Sequence, residues 1–319
     1  MQSRWSLLAL LVWLSVASAA SAQFKEGTEN RKGPRLGPPA TQRWLAGLIV
    51  TAEGGACRNL LGTAPIPIDW PEQEVRVAEE EISPTAHVSY QKLEGSVKMM
   101  VVKIPTLPGG QQAKALVTLE IKRSTLLPPK DPSIYKLPDV KKLPREVRPW
   151  LGPSPLIECS NPRLKSLAKQ TVADKEQAWE KVQAIYQWVR KNVQQKGGPL
   201  KGAVATIKSG EGNHEDMASV FIALCRAAGI PARTVWVPKH CYPEFYLVDD
   251  EGDGQWFPCQ VAGNEEFGGI SETGPVLAKG DNFRAAQGSR DKEKQRFPAE
   301  SLTGEGAGPK REFVRKLLQ

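Results

Sequence analysis

The stretch GEGNHEDMASVFIALCRAAGIPAR, residues 210–233, indicates a buried amphipathic helix with defined ends. Its hydrophobic residues recur at intervals of three and four: Met217, Val220, Phe221, Leu224, Cys225 and Ala228. Asn213 is a suitable N-cap, and Gly229 followed by Pro231 ends the helix. His214 then falls in the first turn, over the buried face.

Three candidate strands follow this helix. ARTVWV (232–237), HCYPEFYLV (240–248) and QWFPCQVA (255–262) contain many β-branched and aromatic residues, and a turn-forming sequence separates the last two. Upstream, DKEQAWEKVQAIYQWVRKNV (174–193) has apolar residues at helical spacing. Helices followed by antiparallel strands predict an α+β core over residues 156–263.

The region before this core has strand periodicity. Four segments alternate apolar and polar residues: Glu74–Ile82, Ala86–Leu93, Ser96–Leu107 and Gln112–Ser124. Such strands need a second sheet to cover them, so we predict a small β-sandwich over residues 43–127. Residues 128–155 have a proline every few positions, which is typical of a linker or an extended connection between domains.

The two ends of the chain differ from this middle part in composition. Residues 1–22 contain Arg4, then a short apolar run, then the small residues Ala20, Ser21 and Ala22. This order predicts a secretory signal peptide that is cleaved after Ala22. A retained membrane anchor is the alternative, but the run is shorter than the ~20 residues that cross a bilayer. Residues 23–42 are predicted to be a flexible leader, and residues 264–319 a Gly-rich, charged C-terminal extension whose isolated hydrophobic residues pack against the core.

The formal net charge is +8, which favours polyanionic surfaces such as cell-envelope polymers. No basic stripe with interleaved aromatic residues predicts a nucleic-acid partner. The sequence contains no nucleotide-binding loop, and we predict no cofactor. Together with the signal peptide, these features predict a secreted or periplasmic protein without a stable membrane span after cleavage.

Residues 156–263 resemble the transglutaminase-like superfamily, whose core has a papain-like fold. The resemblance rests on IYQWVRKNV, the helix segment quoted above, HCYPEFYL and QWFPCQ, in that order. It implies an α+β, transglutaminase-like core preceded by an accessory β-sandwich. It also implies a cysteine nucleophile, a histidine base and an orienting aspartate, and those positions hold His214, His240 and Gln260.

These substitutions remove the chemistry that the resemblance implies. A cysteine at a helix N-terminus readily becomes the thiolate that attacks an acyl carbon, and an imidazole has no such anion to offer. Glutamine can hydrogen-bond an imidazole but cannot offset an imidazolium charge. We therefore predict that acyl transfer by the Cys-His-Asp mechanism is lost.

The resemblance also has a consequence for the five cysteines. If His240 lies opposite Gln260 on adjacent antiparallel strands, Cys241 lies opposite Cys259, and a disulfide between them is predicted for an exported protein. A free structural pair and a relocated nucleophile are the alternatives. The pairing of Cys57 and Cys159 stays open.

Three hypotheses about function follow. The first is a module that binds an extended polypeptide or glycan, with Trp236, Tyr242, Glu244 and Trp256 as candidate binding residues and the aromatic ones exposed. The second is a metal site that uses His214 and His240, although a third ligand is not evident. The third is a transglutaminase-like hydrolase, peptidase or acyl transferase with a non-standard site, and a purely structural envelope protein remains as a further alternative.

Overall fold

The alternating segments before residue 128 form strands, as the sequence predicts, in a computed structural model that describes residues 33–93, 96–284 and 294–318. The predicted signal peptide lies outside the described residues. The strands are β1 (Arg35–Thr51), β2 (Cys57–Ile66), β3 (Gln73–Ile82), β4 (His87–Leu93), β5 (Val97–Leu107), β6 (Gln112–Leu127), β7 (Gln194–Gln195), β8 (Glu211–Gly212), β9 (Ala232–Val237), β10 (His240–Val248), β11 (Gly254–Gln260), β12 (Glu266–Phe267), β13 (Ala278–Lys279), β14 (Ser301–Gly306) and β15 (Lys310–Leu317). The helices are α1 (Pro162–Thr171), α2 (Ala178–Asn192), α3 (Ala203–Ser209) and α4 (His214–Ala227), with short 3-10 helices at Pro132–Ile134 and Arg148–Leu151.

Two antiparallel sheets of four strands occupy the N-terminal region. Their strand orders are β15-β1-β6-β3 and β14-β2-β5-β4. Hydrophobic residues of β1, β2, β5 and β6 all contribute to the main hydrophobic core. The last two strands of the chain therefore complete sheets begun by the first two, which connects residues 301–317 to the N-terminal region.

Strand β1 begins inside the segment for which the sequence predicts a flexible leader. Residues 35–42 of that segment pair with β6, with a register shift between Leu36 and Pro39. Strand β15 pairs with β1 only from Trp44 onward. Pro38 and Pro39 thus lie at the register shift against β6 and, within the described residues, on the part of β1 that β15 does not cover.

The core sheet has the order β12-β11-β10-β9-β13, and α4 packs against β9 and β10. The helix predicted from residues 210–233 and the three strands predicted after it are confirmed. Helix α4 is buried along nearly its whole length because α1, α2 and α3 pack around it. This arrangement fixes the N-terminus of α4 at the end of β10 where His240 lies.

The proline-rich segment 128–155 packs against this core. Its buried residues include Tyr135, Leu143, Val147 and Trp150. Lys136 forms a β-bridge with Val248 at the end of β10. The described residues belong to one compact unit. No helix among them has the length and apolarity needed to cross a membrane.

The predicted Cys241–Cys259 disulfide is wrong, because all five cysteines are free. The ladder between β10 and β11 pairs Glu244 with Pro258 and Phe245 with Phe257. This register differs by two residues from the one that would place Cys241 opposite Cys259. Continued along the strands, it places Cys259 opposite Pro243, so the two thiols are diagonal neighbours and not a facing pair.

Candidate functional site

The three positions that replace the expected triad come together at one end of the core sheet. His214 is the first residue of α4, His240 begins β10 and Gln260 ends β11. The ring centroids of His214 and His240 are 5.0 Å apart. Gln260 Nε2 lies 2.8 Å from His240 Nε2. The structure thus places an imidazole where the resemblance implies the nucleophile.

The start of α4 is held by a capping box. Asn213 Oδ1 accepts from the Asp216 N–H at 2.9 Å, and Asp216 Oδ2 accepts from the Asn213 N–H at 3.2 Å. Asp216 Oδ1 also accepts from the N–H groups of Lys201 and Gly202. Asp216 is fully buried and accepts all three of its hydrogen bonds from the backbone, so its role is structural. These bonds fix the start of α4 and therefore the position of His214.

The end of β11 is fixed by an arginine of α2. Arg190 donates to the carbonyl oxygens of Gln260, Gly263 and Asn264 at 3.1–3.2 Å. Gln260 and His240 form a side-chain hydrogen bond through the Nε2 atom of the His240 ring, with donor and acceptor roles set by the ring tautomer. Gln260 Oε1 is buried and has no hydrogen-bond partner among the described residues.

His240 favours its neutral form. Burial lowers its pKa, the nearby His214 ring lowers it further, and the hydrogen bond with Gln260 acts in the opposite direction. A neutral imidazole can accept a proton, but no carboxylate at position 260 is present to stabilise the imidazolium that results.

The variant Gln260→Glu is expected to raise the pKa of His240 by about one pH unit or more, because a carboxylate in contact with the ring stabilises its protonated form. NMR titration of the histidine ring protons measures this directly, and the chain has three histidines. His87, on β4 and outside the cleft, serves as the internal reference. An unchanged or lower pKa at His240 would contradict the assigned contact.

No thiol replaces the expected nucleophile. All five cysteines are buried, and none lines the cleft that contains His214 and His240. Burial raises the pKa of Cys159, Cys225, Cys241 and Cys259 above the ordinary thiol value. These side chains are therefore protonated at neutral pH and are poor nucleophiles.

His214 and His240 open into a cleft of about 380 Å³. The cleft combines apolar, aromatic and charged side chains. Its lining residues are Leu200, His214, Glu215, Trp236, Val237, Lys239, His240, Leu277, Arg296, Phe297 and Arg315. Three cationic side chains and one carboxylate make this a cleft with an excess of positive charge at neutral pH.

Of the four predicted binding residues, only Trp236 lines the cleft, and it is 8% exposed. Tyr242 is buried on the opposite face of the sheet, where its hydroxyl accepts from Arg123 at 2.8 Å. Glu244 is buried and bonded to Arg233 and Lys279. Trp256 packs against Tyr246 and the Arg233 guanidinium. The structure therefore places Tyr242, Glu244 and Trp256 outside the lining of this cleft.

The C-terminal wall of the cleft is the part of the site that the sequence does not predict. Phe297 packs on Trp236 with ring centroids 5.3 Å apart, and Arg296 and Arg315 line the same cleft. Isolated hydrophobic residues predicted this packing against the core, and Phe297 confirms it. No periodic pattern or motif marks the two arginines, so nothing in the sequence identifies them as cleft residues.

His214 and His240 are close enough to be considered as metal ligands. Within the described residues, no group of three or more His, Cys, Asp or Glu side chains has an arrangement that could hold a metal ion. Protein zinc sites generally use at least three protein ligands. The predicted metal site thus still lacks a third ligand.

Residues 165–261 match the model of the transglutaminase-like superfamily. A comparison with curated protein sequences gave no match. A provisionally assigned cysteine protease from Cytophaga hutchinsonii is similar in structure, with a TM-score of 0.57 and 18% identity over 90% of this chain and 93% of that chain. A provisionally assigned protease from Parabacteroides distasonis has a TM-score of 0.30 and 14% identity over 76% of this chain and 49% of that chain, and it carries no argument. The chain therefore contains a transglutaminase-like core, and the likeness to the first structure concerns the fold alone.

Proposed function

We propose that this protein binds an extended polypeptide or a cell-envelope polymer in the cleft beside His214 and His240, without acyl transfer by a Cys-His-Asp mechanism. The proposal places the protein outside the cytoplasm, secreted or periplasmic, after cleavage of the predicted signal peptide. The two four-stranded sheets would form the predicted β-sandwich that supports the core.

One observation carries this proposal. The N-terminus of α4, where a thiolate would be stabilised by the helix dipole, presents the His214 ring to His240 at 5.0 Å. An imidazole in that position has no sulfur and cannot form the thioester that acyl transfer by the Cys-His-Asp mechanism requires. The cleft itself is retained, with apolar walls and several charged groups, and such clefts can bind ligands without reacting with them.

The second candidate is an enzyme that uses the same cleft by a different route. His240 is positioned by Gln260 and could accept a proton, and Glu215 lies in the same cleft. A hydrolase or peptidase of this kind would need water or another group as nucleophile. The absence of a cysteine among the lining residues makes it the less favoured proposal.

The test is an activity and binding assay on the purified protein. Incubation with peptide amides and an amine acceptor is expected to release no ammonia and no cleaved peptide, whereas calorimetry is expected to detect binding of some of the same peptides. Turnover by the wild type that disappears in His240→Ala would overturn the proposal and favour the enzyme. Absence of both turnover and binding would favour a structural role.

A further inference from the structure

Arg296, on the C-terminal wall of the cleft, has unused hydrogen-bonding capacity. The residue is 8% exposed, and its Nη1 donates to the Pro155 carbonyl oxygen at 3.0 Å. Nε and Nη2 are buried and have no hydrogen-bond partner among the described residues. These two N–H groups point in parallel from one edge of the guanidinium, which is the geometry that matches the two oxygens of a carboxylate.

No neighbouring acid in the described structure satisfies this edge. Asp281 is an acid whose charge interacts with that of Arg296. Both Asp281 oxygens are already bonded, since Arg226 donates to each at 2.8 Å, Ser154 donates to Oδ1 and the Thr234 N–H donates to Oδ2. A buried guanidinium with unmade hydrogen bonds is unfavourable, so a ligand that makes them gains free energy.

The surroundings of Arg296 favour a particular kind of ligand. The guanidinium lies 5.7 Å from the Trp236 ring centroid, and Phe297 packs on the same ring. Leu277 contributes a further apolar wall. The Trp236 Nε1–H donates to the Gly280 carbonyl oxygen at 2.7 Å, so it is not available to a ligand. The site thus offers one charged pair of donors beside an apolar surface.

We propose that Arg296 is a carboxylate-binding residue of the cleft, and that it selects polypeptides with an acidic group next to an apolar side chain. The proposal rests on the binding function proposed above and specifies its ligand. Because Nε and Nη2 are covered in the unliganded cleft, binding requires a shift of the guanidinium or of the aromatic side chains over it. A sugar acid would present the same carboxylate, but Phe297 and Leu277 offer its hydroxyl groups no hydrogen-bond partner, and the Trp236 N–H is already bonded.

Isothermal titration calorimetry on the purified protein tests this with defined peptides. The first probe is the tetrapeptide Ala-Leu-Glu-Ala, acetylated and amidated at its ends, and the second replaces its glutamate by glutamine. The third is acetylated Ala-Leu-Ala with a free C-terminal carboxylate, which separates a side-chain from a main-chain source. The fourth is trigalacturonate. We expect the glutamate or the free-acid peptide to bind at least about tenfold more tightly than the glutamine peptide.

Variants assign this preference to Arg296. In Arg296→Gln the ratio of the affinities for the carboxylate peptide and the glutamine peptide is expected to fall to about one. Arg296→Lys keeps the charge without the paired donors, so its ratio should lie between those of Arg296→Gln and the wild type. Arg43→Gln is the matched control, because Arg43 pairs with Glu79 at an exposed site outside the cleft, and its preference should stay within about twofold of the wild type. Circular dichroism shows whether each variant is folded. If Arg296→Gln does not fold, the comparison of the charged and neutral peptides on the wild-type protein decides the question.

The outcomes distinguish this proposal from the function on which it rests. Equal binding of the charged and neutral peptides by the wild type would overturn the role of Arg296 and leave polypeptide binding intact. Binding of none of the four probes would overturn both. Arg296-dependent binding of trigalacturonate alone would overturn the polypeptide assignment in favour of an acidic glycan.

Discussion

The variant His214→Cys is expected to react with iodoacetamide at pH 7 at least about tenfold faster than free cysteine, which is only a few per cent thiolate at that pH. The new thiol would lie at the N-terminus of α4 and beside the His240 ring. Both features stabilise a thiolate and lower the thiol pKa. Mass spectrometry of the native protein after timed exposure to the reagent measures the rate and locates the label.

The wild-type protein provides the first control for this experiment. Its five cysteines are buried, so the native protein should take up almost no label, whereas the denatured protein should be labelled at all five. The double variant His214→Cys with His240→Ala should react more slowly than the single variant, because the neighbouring imidazole is removed. A single variant that reacts no faster than free cysteine would show that the N-terminus of α4 is not the nucleophile position.

The sequence predicts the centre of this site well because local signals determine it. Asn213 is an N-cap by its residue type, and the apolar period of α4 fixes the face to which His214 belongs. The contact between His240 and Gln260 is likewise as expected from the resemblance, with 2.8 Å between their Nε2 atoms. What the sequence does not provide is the strand register, and an error of two residues was enough to produce the incorrect disulfide.

The surroundings of the candidate binding residues were harder to predict because both faces of the core sheet are covered. Side chains alternate between the two faces of a strand, so Tyr242 and Glu244 would be exposed if their face of β10 lay in solvent. In the structure, Arg123 of β6 reaches Tyr242, and Lys279 of β13 forms buried ion pairs with Glu72 and Glu244. These contacts join segments far apart in the sequence, and no local pattern announces them.

The C-terminal extension shows the same limit. The sequence predicts that isolated hydrophobic residues of this extension pack against the core and predicts no strand there, yet β14 and β15 pair with β2 and β1. Strand β15 is an edge strand that carries many charges, as is common for edges exposed to solvent. A segment with so many charged residues has the composition of a loop. The strand pairing of β15, which places Arg315 in the cleft, could therefore be found only from the structure.

The variant Asp281→Asn is expected to lower the free energy of unfolding by about 3–5 kcal/mol, because it leaves the Arg226 charge buried without its partner. Both side chains of this ion pair are 0% exposed. Arg226 of α4 donates to both carboxylate oxygens at 2.8 Å, and Ser154 and Thr234 bond the same carboxylate. Urea denaturation at pH 7, followed by circular dichroism and fluorescence, measures the loss.

The pH dependence gives this prediction a second, independent measurement. Burial alone would raise the pKa of Asp281, but the Arg226 charge and the hydrogen bonds outweigh it and hold that pKa below its ordinary value. A lowered native pKa stabilises the fold above the unfolded value of about 3.9, and this contribution is lost as pH falls through the native pKa. The difference between wild type and Asp281→Asn should therefore be full at pH 7 and shrink in strongly acidic solution.

An exposed ion pair supplies the matched control for Asp281→Asn. Glu53 and Lys310 lie 3.0 Å apart with side chains 57% and 68% exposed, so Glu53→Gln should cost less than about 1 kcal/mol. Because Arg226 also donates to the carbonyl oxygens of Gly152 and Ala232, loss of its partner disturbs the position of α4 relative to β9. If Asp281→Asn were no more destabilising than Glu53→Gln, the buried pair could not be what holds α4, and with it His214, in place.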